Sequence, residues 1–218
     1  MDPDILLENL GITKLKKSSQ FIHCDTVGAA NLEFLKRKKH FDVTFEVGQE
    51  KKKISCHNSF LMSRSPAFET LFSAKFDSSN PISLPNVEPA TFELFLGFVY
   101  SDEFTTNIPM AIKLLQLGVK YDVKPLVQKC EQLMSEDIQL DDAIETFTIA
   151  RRYSLQTLMD QAGEILICHF EALSKGSNFR HFDEQTLMYL LKRDELPLEE
   201  LKLFNIILRW ASDNMGDN

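Results

Sequence analysis

One stretch of the sequence, residues 41–72, constrains the fold more than any other. It opens with strict alternation of apolar and polar residues. The apolar positions are Phe41, Val43, Phe45 and Val47. Successive side chains of a β-strand point to opposite faces, so this period of two predicts a strand with one buried face. Gly48 and a polar run that ends in three lysines follow, which indicates an exposed hairpin turn.

A second strand and two short helices are predicted after that turn. The alternation resumes over residues 54–56. Asn58 or Ser59 is expected to cap the first helix. Ser65 and Pro66 then predict the start of the second, with Ser as the N-cap and Pro at the first helical position, where its missing N–H costs nothing. A hairpin that leads into two abutting helices is therefore the expected seed of the fold.

The following segment continues a mixed head. Ile82 and Leu84 predict a short third strand, and helices are expected to open at Pro89, Pro109 and Pro125. From about residue 137 onward the apolar spacing is helical throughout. The sequence thus predicts an α+β head, with a short three-stranded sheet flanked by helices, followed by an all-α half built of helical pairs.

The helices of the second half have predicted caps. Asp141 or Asp142 is expected to cap the first of them, Ser154 the second, and Asp183 a later one. The last helix is expected to be amphipathic. Its apolar residues are Leu201, Phe204, Ile207, Leu208 and Trp210.

Charge and composition exclude several classes of function. The formal net charge of −8 disfavours a nucleic-acid-binding surface, which needs a basic face. No apolar run is long enough to span a membrane, and the acidic start does not read as a signal peptide. Four scattered cysteines do not form a disulfide framework. We therefore expect a reduced, cytoplasmic protein, with the nucleus as the alternative.

Candidate chemistry is weak. The three His–Cys neighbours are His23-Cys24, Cys56-His57 and Cys168-His169. Zinc ligands are usually two to four residues apart, and adjacent residues point in different directions. Asp42 and His57 are interpreted as side chains that bind backbone groups where a strand ends and a helix begins; an acid–imidazole pair for catalysis is the alternative. We expect no enzyme, no metal and no cofactor.

A helix is also predicted over residues 27–39, with Leu32 and Leu35 on one face. It ends in a basic run, residues 36–39. That run is typical of a solvated helix end, where cations favour the helix dipole, and a nuclear-import signal is the alternative.

Taken together, these motifs resemble the BTB/POZ domain followed by a BACK domain. The motifs of the first half are Asp42-Val43, His57, Phe60-Leu61, Ser65-Pro66, Phe68, Leu71-Phe72, Val87-Glu88-Pro89, Tyr100-Ser101-Asp102-Glu103 and Tyr121. Those of the second half are Tyr153-x-Leu155 and the pair Phe204 and Trp210. The sequence of the first half, in particular residues 87–90 and 100–103, is most similar to that of BTB–BACK proteins that carry a PHR domain. The expected organisation is a tail over 1–26, a BTB/POZ domain over 27–136 and a BACK domain, complete or partial, over 137–218.

The resemblance implies a homodimeric adaptor that brings an unknown protein substrate to a cullin-3 RING ubiquitin ligase. The residues implied in the dimer contact are Leu32, Leu35, Phe60 and Phe68. Those implied in the contact with the cullin-3 N-terminal domain are Phe76, Asp77, Ser78, Val119, Tyr121 and Asp122. A BTB scaffold, or a transcriptional co-regulator, that recruits no cullin is the alternative.

Three departures from the family pattern bear on this expectation. Many cullin-binding members have a hydrophobic-x-Glu motif, whereas this chain has Phe76-Asp77-Ser78. Some BTB dimers pair the Asp at position 42 with a basic residue after the His, but here that residue is Asn58. No Kelch, MATH, PHR or zinc-finger segment follows Trp210, so we expect either a piece of a longer protein or substrates gathered by the BACK helices or the tail.

Overall fold

The computed structural model describes residues 24–73, 80–176, 179, 182–193, 196 and 198–215. It confirms the predicted class, a small mixed sheet within a helix-rich head that is followed by helices. The elements are α1 (Val27–Lys36), β1 (Val43–Val47), β2 (Lys52–Cys56), α2 (Asn58–Arg64), α3 (Pro66–Ser73), β3 (Ile82–Leu84), α4 (Pro89–Ser101), α5 (Ile108–Lys120), α6 (Lys124–Asp137), α7 (Leu140–Arg152), α8 (Gln156–Cys168), α9 (Phe170–Lys175), α10 (Glu184–Leu191) and α11 (Glu200–Met215). Apart from its last three residues, the predicted tail lies outside the described part.

The sheet has the strand order β2–β1–β3. β1 and β2 form the predicted antiparallel hairpin, with Phe45 opposite Ile54. β3 lies parallel to β1 on its other side, with Phe45 opposite Ile82. A parallel neighbour requires a crossover, and the chain passes through α2 and α3 before β3. Gly48 lies in the hairpin turn with φ +76°, a conformation that favours glycine.

The alternation in β1 has the predicted consequence. Val43, Phe45 and Val47 are buried, whereas Phe41 precedes the strand and is half-buried. The ring of Phe45 lies 4.8 Å from that of Phe92 on α4. Burying such a ring fully contributes roughly 1.5–3 kcal/mol relative to leaving it in water, so this strand is a main source of the stability of the head.

The starts of α2 and α3 differ in how they are capped. Ser65 caps α3 as predicted, since its hydroxyl accepts the N–H of Phe68 at 3.1 Å. The predicted cap of α2 is wrong. α2 begins at Asn58, and the carboxylate of Asp42 accepts the Asn58 N–H at 2.7 Å. A residue distant in sequence supplies this cap, and a local pattern does not reveal it.

Proline marks the starts of the next three helices within one residue. Pro89 is the first residue of α4, while Pro109 and Pro125 are the second residues of α5 and α6. At α5 the side chain of Asn107 also accepts the N–H of Met110 at 3.1 Å. These starts confirm the reading of proline as a helix-opening signal.

Caps in the second half are confirmed at one site and wrong at two. Asp183 caps α10 by accepting the Thr186 N–H at 2.7 Å. Asp141 lies inside the first turn of α7, whose N-cap position is Gln139. Ser154 lies in the turn between α7 and α8 with φ +57° and does not cap α8.

Two apolar clusters form the core of the described residues. The first fills the head and also includes Ile149, Ala150 and Leu158 from α7 and α8. The second lies within α7–α11 and includes Phe147 and Phe170. Because α7 contributes to both clusters, the head and the helical half are packed on a shared helix.

Two candidate protein-docking surfaces

The first surface lies on α1 and α2 and contains three of the residues implied in dimerisation. Leu32, Leu35 and Phe60 are half-buried and pack on the core of the head. We call this the α1–α2 surface. Within it, Phe34 is a large apolar residue that is exposed, although no sequence motif indicated it.

A close approach of helices holds α1 on the head. A Cβ atom added to Gly28 would lie 2.8 Å from the carbonyl oxygen of Ser101 at the end of α4. The side-chain amide of Asn31 also donates to the carbonyl of Tyr100 at 3.1 Å. Thr26 caps the helix by accepting the Ala29 N–H at 3.1 Å. The small residue and the two polar contacts fix α1 against α4.

His57 organises the interior beneath this surface. Its backbone N–H donates to the Tyr100 hydroxyl at 2.9 Å, and its Nδ1 lies 2.7 Å from the same oxygen. Nε2 lies 2.9 Å from the carbonyl of Lys39, which can only accept, so Nε2 carries the hydrogen. The Tyr100 hydroxyl, which accepts the His57 backbone N–H, is placed to donate its own hydrogen to Nδ1. Both ring nitrogens therefore have partners within the protein.

Aromatic stacking extends the His57 network outward. The Phe34 ring stacks on the imidazole with centroids 4.4 Å apart, and Phe60 stacks on Tyr100 at 4.0 Å. Burial raises the pKa of Tyr100 above its usual value, so the hydroxyl keeps its proton. The exposed Phe34 and the half-buried Phe60 are thus held by one buried polar network.

Phe68, the fourth residue implied in the dimer contact, is not on the surface. Its side chain is 1% exposed and belongs to the core of the head. The ring stacks on Tyr121 with centroids 4.4 Å apart and lies 5.8 Å from Phe72. In a single chain Phe68 supports α3 from beneath, because its position on the helix faces β1 and α4.

The second surface lies where α3 meets the end of α5. Val119 is 39% exposed and Leu71 is 41% exposed, while Asp122 is exposed in the turn after α5. Tyr121 is buried, and burial raises its pKa to about 12. We call this the α3–α5 surface. Of the residues implied in the cullin contact, Phe76, Asp77 and Ser78 lie outside the described residues.

One contact locks the two elements of the α3–α5 surface together. The Ser65 hydroxyl donates to the carbonyl of Tyr121, and it also accepts the Phe68 N–H that caps α3. A single side chain thereby caps one helix and binds the end of the other. Leu71 was not selected from the sequence as a contact residue, because its spacing of three residues from Phe68 predicts the same apolar face of α3, yet Leu71 is exposed.

Cys56 and His57 are not arranged as a nucleophile and its base. Burial raises the pKa of the Cys56 thiol to about 12, and the charge of Asp42 adds to that rise. The thiol is therefore protonated at neutral pH, and both nitrogens of the neighbouring imidazole are engaged elsewhere. Asp42 binds the backbone of α2 through the amide of Asn58. The interpretation of Asp42 and His57 as side chains that bind backbone groups is confirmed by these contacts.

Two kinds of feature are absent from the described residues. No cluster of three His, Cys, Asp or Glu side chains is arranged to hold a metal ion in that part of the chain. None of its helices is both long and apolar enough to cross a membrane.

Comparisons with known proteins match both halves of the chain. The BTB/POZ domain family matches residues 32–138, and the BACK family (BTB And C-terminal Kelch) matches residues 143–218. BTB/POZ domain-containing protein 6 of Xenopus tropicalis is 26% identical over 208 residues, which cover 94% of this chain and 39% of that protein. Kelch-like protein 25 of Rattus norvegicus is 25% identical over 212 residues, which cover 95% of this chain and 35% of that protein. The chain thus spans less than half the length of these relatives.

Proposed function

Because this chain belongs to the BTB/POZ–BACK family of protein-interaction modules, we propose that it acts as a dimeric adaptor that brings a protein substrate to a cullin-3 RING ubiquitin ligase. The similarity to Kelch-like protein 25 over nearly the whole chain supports an adaptor role. In this proposal the α1–α2 surface joins two copies and the α3–α5 surface contacts the cullin-3 N-terminal domain.

The observation that best supports the proposed ligase contact is the exposure of Val119 where the end of α5 is fixed against α3. Apolar anchors contribute most to binding when they lie on a surface that does not have to be ordered first. Val119 is at the end of α5, where the Ser65–Tyr121 contact and the stacking of Phe68 on Tyr121 fix the two helices. The resemblance implies a second apolar anchor of the cullin contact at Phe76, three residues after the end of α3 in the sequence.

Calorimetric titration of the chain with the purified cullin-3 N-terminal domain tests this contact. We expect saturable binding, and we expect Val119→Asp to weaken it by at least about tenfold, since a charge at an apolar anchor costs more than about 1.4 kcal/mol. Phe76→Ala is expected to act in the same direction. Val27→Asp is the matched control, because it makes the same chemical change at an exposed position of α1.

The outcomes separate two errors. A chain that does not bind the cullin domain at about 50 µM refutes the ligase proposal. If the chain binds but Val119→Asp and Val27→Asp behave alike, the ligase proposal stands and the assignment of the surface is refuted.

A scaffold or co-regulator without a cullin is the second candidate function. One observation favours it: Ser78 occupies the place where many cullin-binding members have Glu. A Ser78→Glu variant that gains binding to the cullin domain, starting from a chain that has none, would support this alternative. Proteins that co-purify with the chain and lose ubiquitin when it is depleted would support the adaptor instead.

A cytoplasmic location is part of the proposal. A nuclear-import signal is read as an accessible basic run, but the first residue of the run 36–39 lies in α1 and pairs with Glu33 at 2.9 Å. The carbonyl of the last, Lys39, accepts from His57. Microscopy of a fluorescent fusion, with the four residues changed to Ala, tests whether the run directs import.

A further inference from the structure

A groove of about 370 Å³ lies between α1, β2 and α4, apart from the α3–α5 surface. Its floor is apolar. The floor residues are Leu35, Phe41, Ile54 and Leu96. A ligand that covers this floor is stabilised, because each Å² of apolar surface removed from water contributes roughly 25 cal/mol to the free energy of binding.

Lysines from two separate basic runs surround this floor. The runs are residues 36–39 at the end of α1 and residues 51–53 in the hairpin. The lysines that line the groove are Lys36, Lys38, Lys52 and Lys53. The fold brings the two runs together on a chain whose formal net charge is −8, so this groove is a local reversal of the overall charge. We call it the lysine groove.

Two of the four lysines form no salt bridge with any residue that the structure describes. Within the described residues Lys38 and Lys53 form no ion pair at 4.0 Å or less, although Lys53 lies opposite Glu46 in the register of the hairpin. Lys36 pairs with Glu33 at 2.9 Å, and Lys52 pairs at 2.7 Å with Glu93, an acidic residue that also lines the groove. Lysines beside an apolar floor favour a ligand that has both negatively charged groups and apolar side chains.

The lysine groove also lies along a free strand edge. β2 is the outer strand of the sheet in the described residues, because its only strand neighbour there is β1. An edge strand presents unpaired N–H and C=O groups to an incoming strand. Recognition by strand addition takes its affinity from main-chain hydrogen bonds and its specificity from alternate side chains.

We propose that the lysine groove binds an extended acidic segment of a partner protein, in which acidic residues alternate with apolar ones. The segment adds a strand to the outer edge of β2, so that its apolar side chains cover the floor and its carboxylates face Lys38 and Lys53. A nucleic acid has no apolar side chains for such a floor. Charge complementarity and the floor together therefore select a peptide.

This site is separate from the proposed ligase contact and touches the proposed dimer contact only at Leu35. The rest of the groove is formed by Lys36 at the end of α1, the turn after it, β2 and α4. Failure of the groove proposal would leave the cullin titration unaffected, and the reverse also holds.

Fluorescence anisotropy of the full chain with a synthetic peptide tests the proposal. The probe is a labelled nine-residue peptide that alternates glutamate with isoleucine, acetylated and amidated at its ends. Two comparison peptides carry lysine in place of glutamate, or N-methyl groups on the amides that would pair with β2. A nine-nucleotide single strand of DNA tests whether any polyanion suffices.

The matched variants reverse two charges each. Lys38→Glu with Lys53→Glu changes lysines that line the groove, whereas Lys39→Glu with Lys51→Glu changes lysines of the same two runs that do not line it. We expect at least about tenfold weaker peptide binding for the first pair. We expect less than about threefold for the second, because exposed charges are screened over about 8 Å at physiological salt. Circular dichroism confirms that each variant is folded.

Each outcome decides something. Saturable binding of the acidic peptide, lost on N-methylation and with the first pair of variants, supports the proposal. It is overturned if the acidic peptide does not bind up to about 1 mM, if both pairs weaken binding equally, or if the DNA strand binds as tightly. It is also overturned if light scattering shows that the first pair separates copies of the chain, since the groove would then hold a second copy.

Discussion

Replacing Tyr100 by phenylalanine removes one oxygen atom from the interior of the head. Tyr100 is 3% exposed, and its hydroxyl is the partner of both the backbone N–H and Nδ1 of His57. The variant leaves these two buried groups without partners, while the ring keeps its stacking on Phe60. A buried polar group without a partner costs about 1–3 kcal/mol. The cost of the two unpaired groups is partly offset, because the phenylalanine variant no longer has to take a hydroxyl out of water. We therefore expect the free energy of unfolding to fall by about 2–4 kcal/mol.

Tyr121→Phe is the matched control for this prediction. Tyr121 is also buried, and its hydroxyl forms no hydrogen bond with any residue that the structure describes. We expect its free energy of unfolding to change by less than about 0.5 kcal/mol. The same atom is removed from two buried tyrosines, so the difference between the variants measures the His57 network alone.

Urea unfolding at pH 7, followed by circular dichroism and by tryptophan fluorescence, supplies the measurement. Trp210 is the single tryptophan and donates its indole N–H to the carbonyl of Phe182, so its fluorescence reports on the helical half. Circular dichroism reports on both halves. Equal losses in Tyr100→Phe and Tyr121→Phe, or a loss below about 1 kcal/mol in Tyr100→Phe, would show that the hydroxyl does not hold His57 as described.

Three further predictions use other features of the head. Leu32→Glu with Leu35→Glu is expected to convert a dimer to a monomer with unchanged circular dichroism, and a dimer mass in light scattering would contradict the α1–α2 assignment. A thiol reagent added to the native chain is expected to modify the exposed Cys168, but it should modify the buried Cys56 and Cys130 only after urea is added. Mass spectrometry of the peptides measures which cysteines have reacted. Burial raises the pKa of both buried thiols to about 12 from 9.0, so their contribution to stability is complete below pH 9 and decreases as pH rises towards 12, by about 1.4 kcal/mol per pH unit for each thiol. Urea midpoints that stay constant from pH 9 to 11 would contradict this last prediction.

Much of the head is predictable because its signals are local. The buried positions of β1 follow from alternation alone, and the start of α3 follows from Ser65-Pro66. The cap of α2 was missed because Asp42, sixteen residues away, provides it. Sequence patterns report on neighbours along the chain, whereas this contact exists only after the hairpin has formed.

The last helix shows a different limit of prediction. Leu201, Phe204 and Leu208 of α11 were expected on its apolar face, but they are exposed. Trp210, which the same prediction included, does pack on the second cluster, together with Leu203 and Ile206. α11 has two rows of apolar residues at helical spacing, and the spacing alone does not show which row is buried. A tertiary contact decides which row is buried, because the Trp210 indole N–H donates to the carbonyl of Phe182, 28 residues away.

The two docking surfaces are built on the same principle, a buried tyrosine at the end of a core helix. Tyr100 is the last residue but one of α4, beneath the α1–α2 surface, and Tyr121 follows α5 beneath the α3–α5 surface. The first is held by hydrogen bonds to His57, the second by stacking on Phe68 and by the hydroxyl of Ser65. Each surface therefore has its own polar anchor within one apolar core. Since groups that share no partner contribute independently to stability, a substitution that loosens one surface is expected to leave the geometry of the other unchanged.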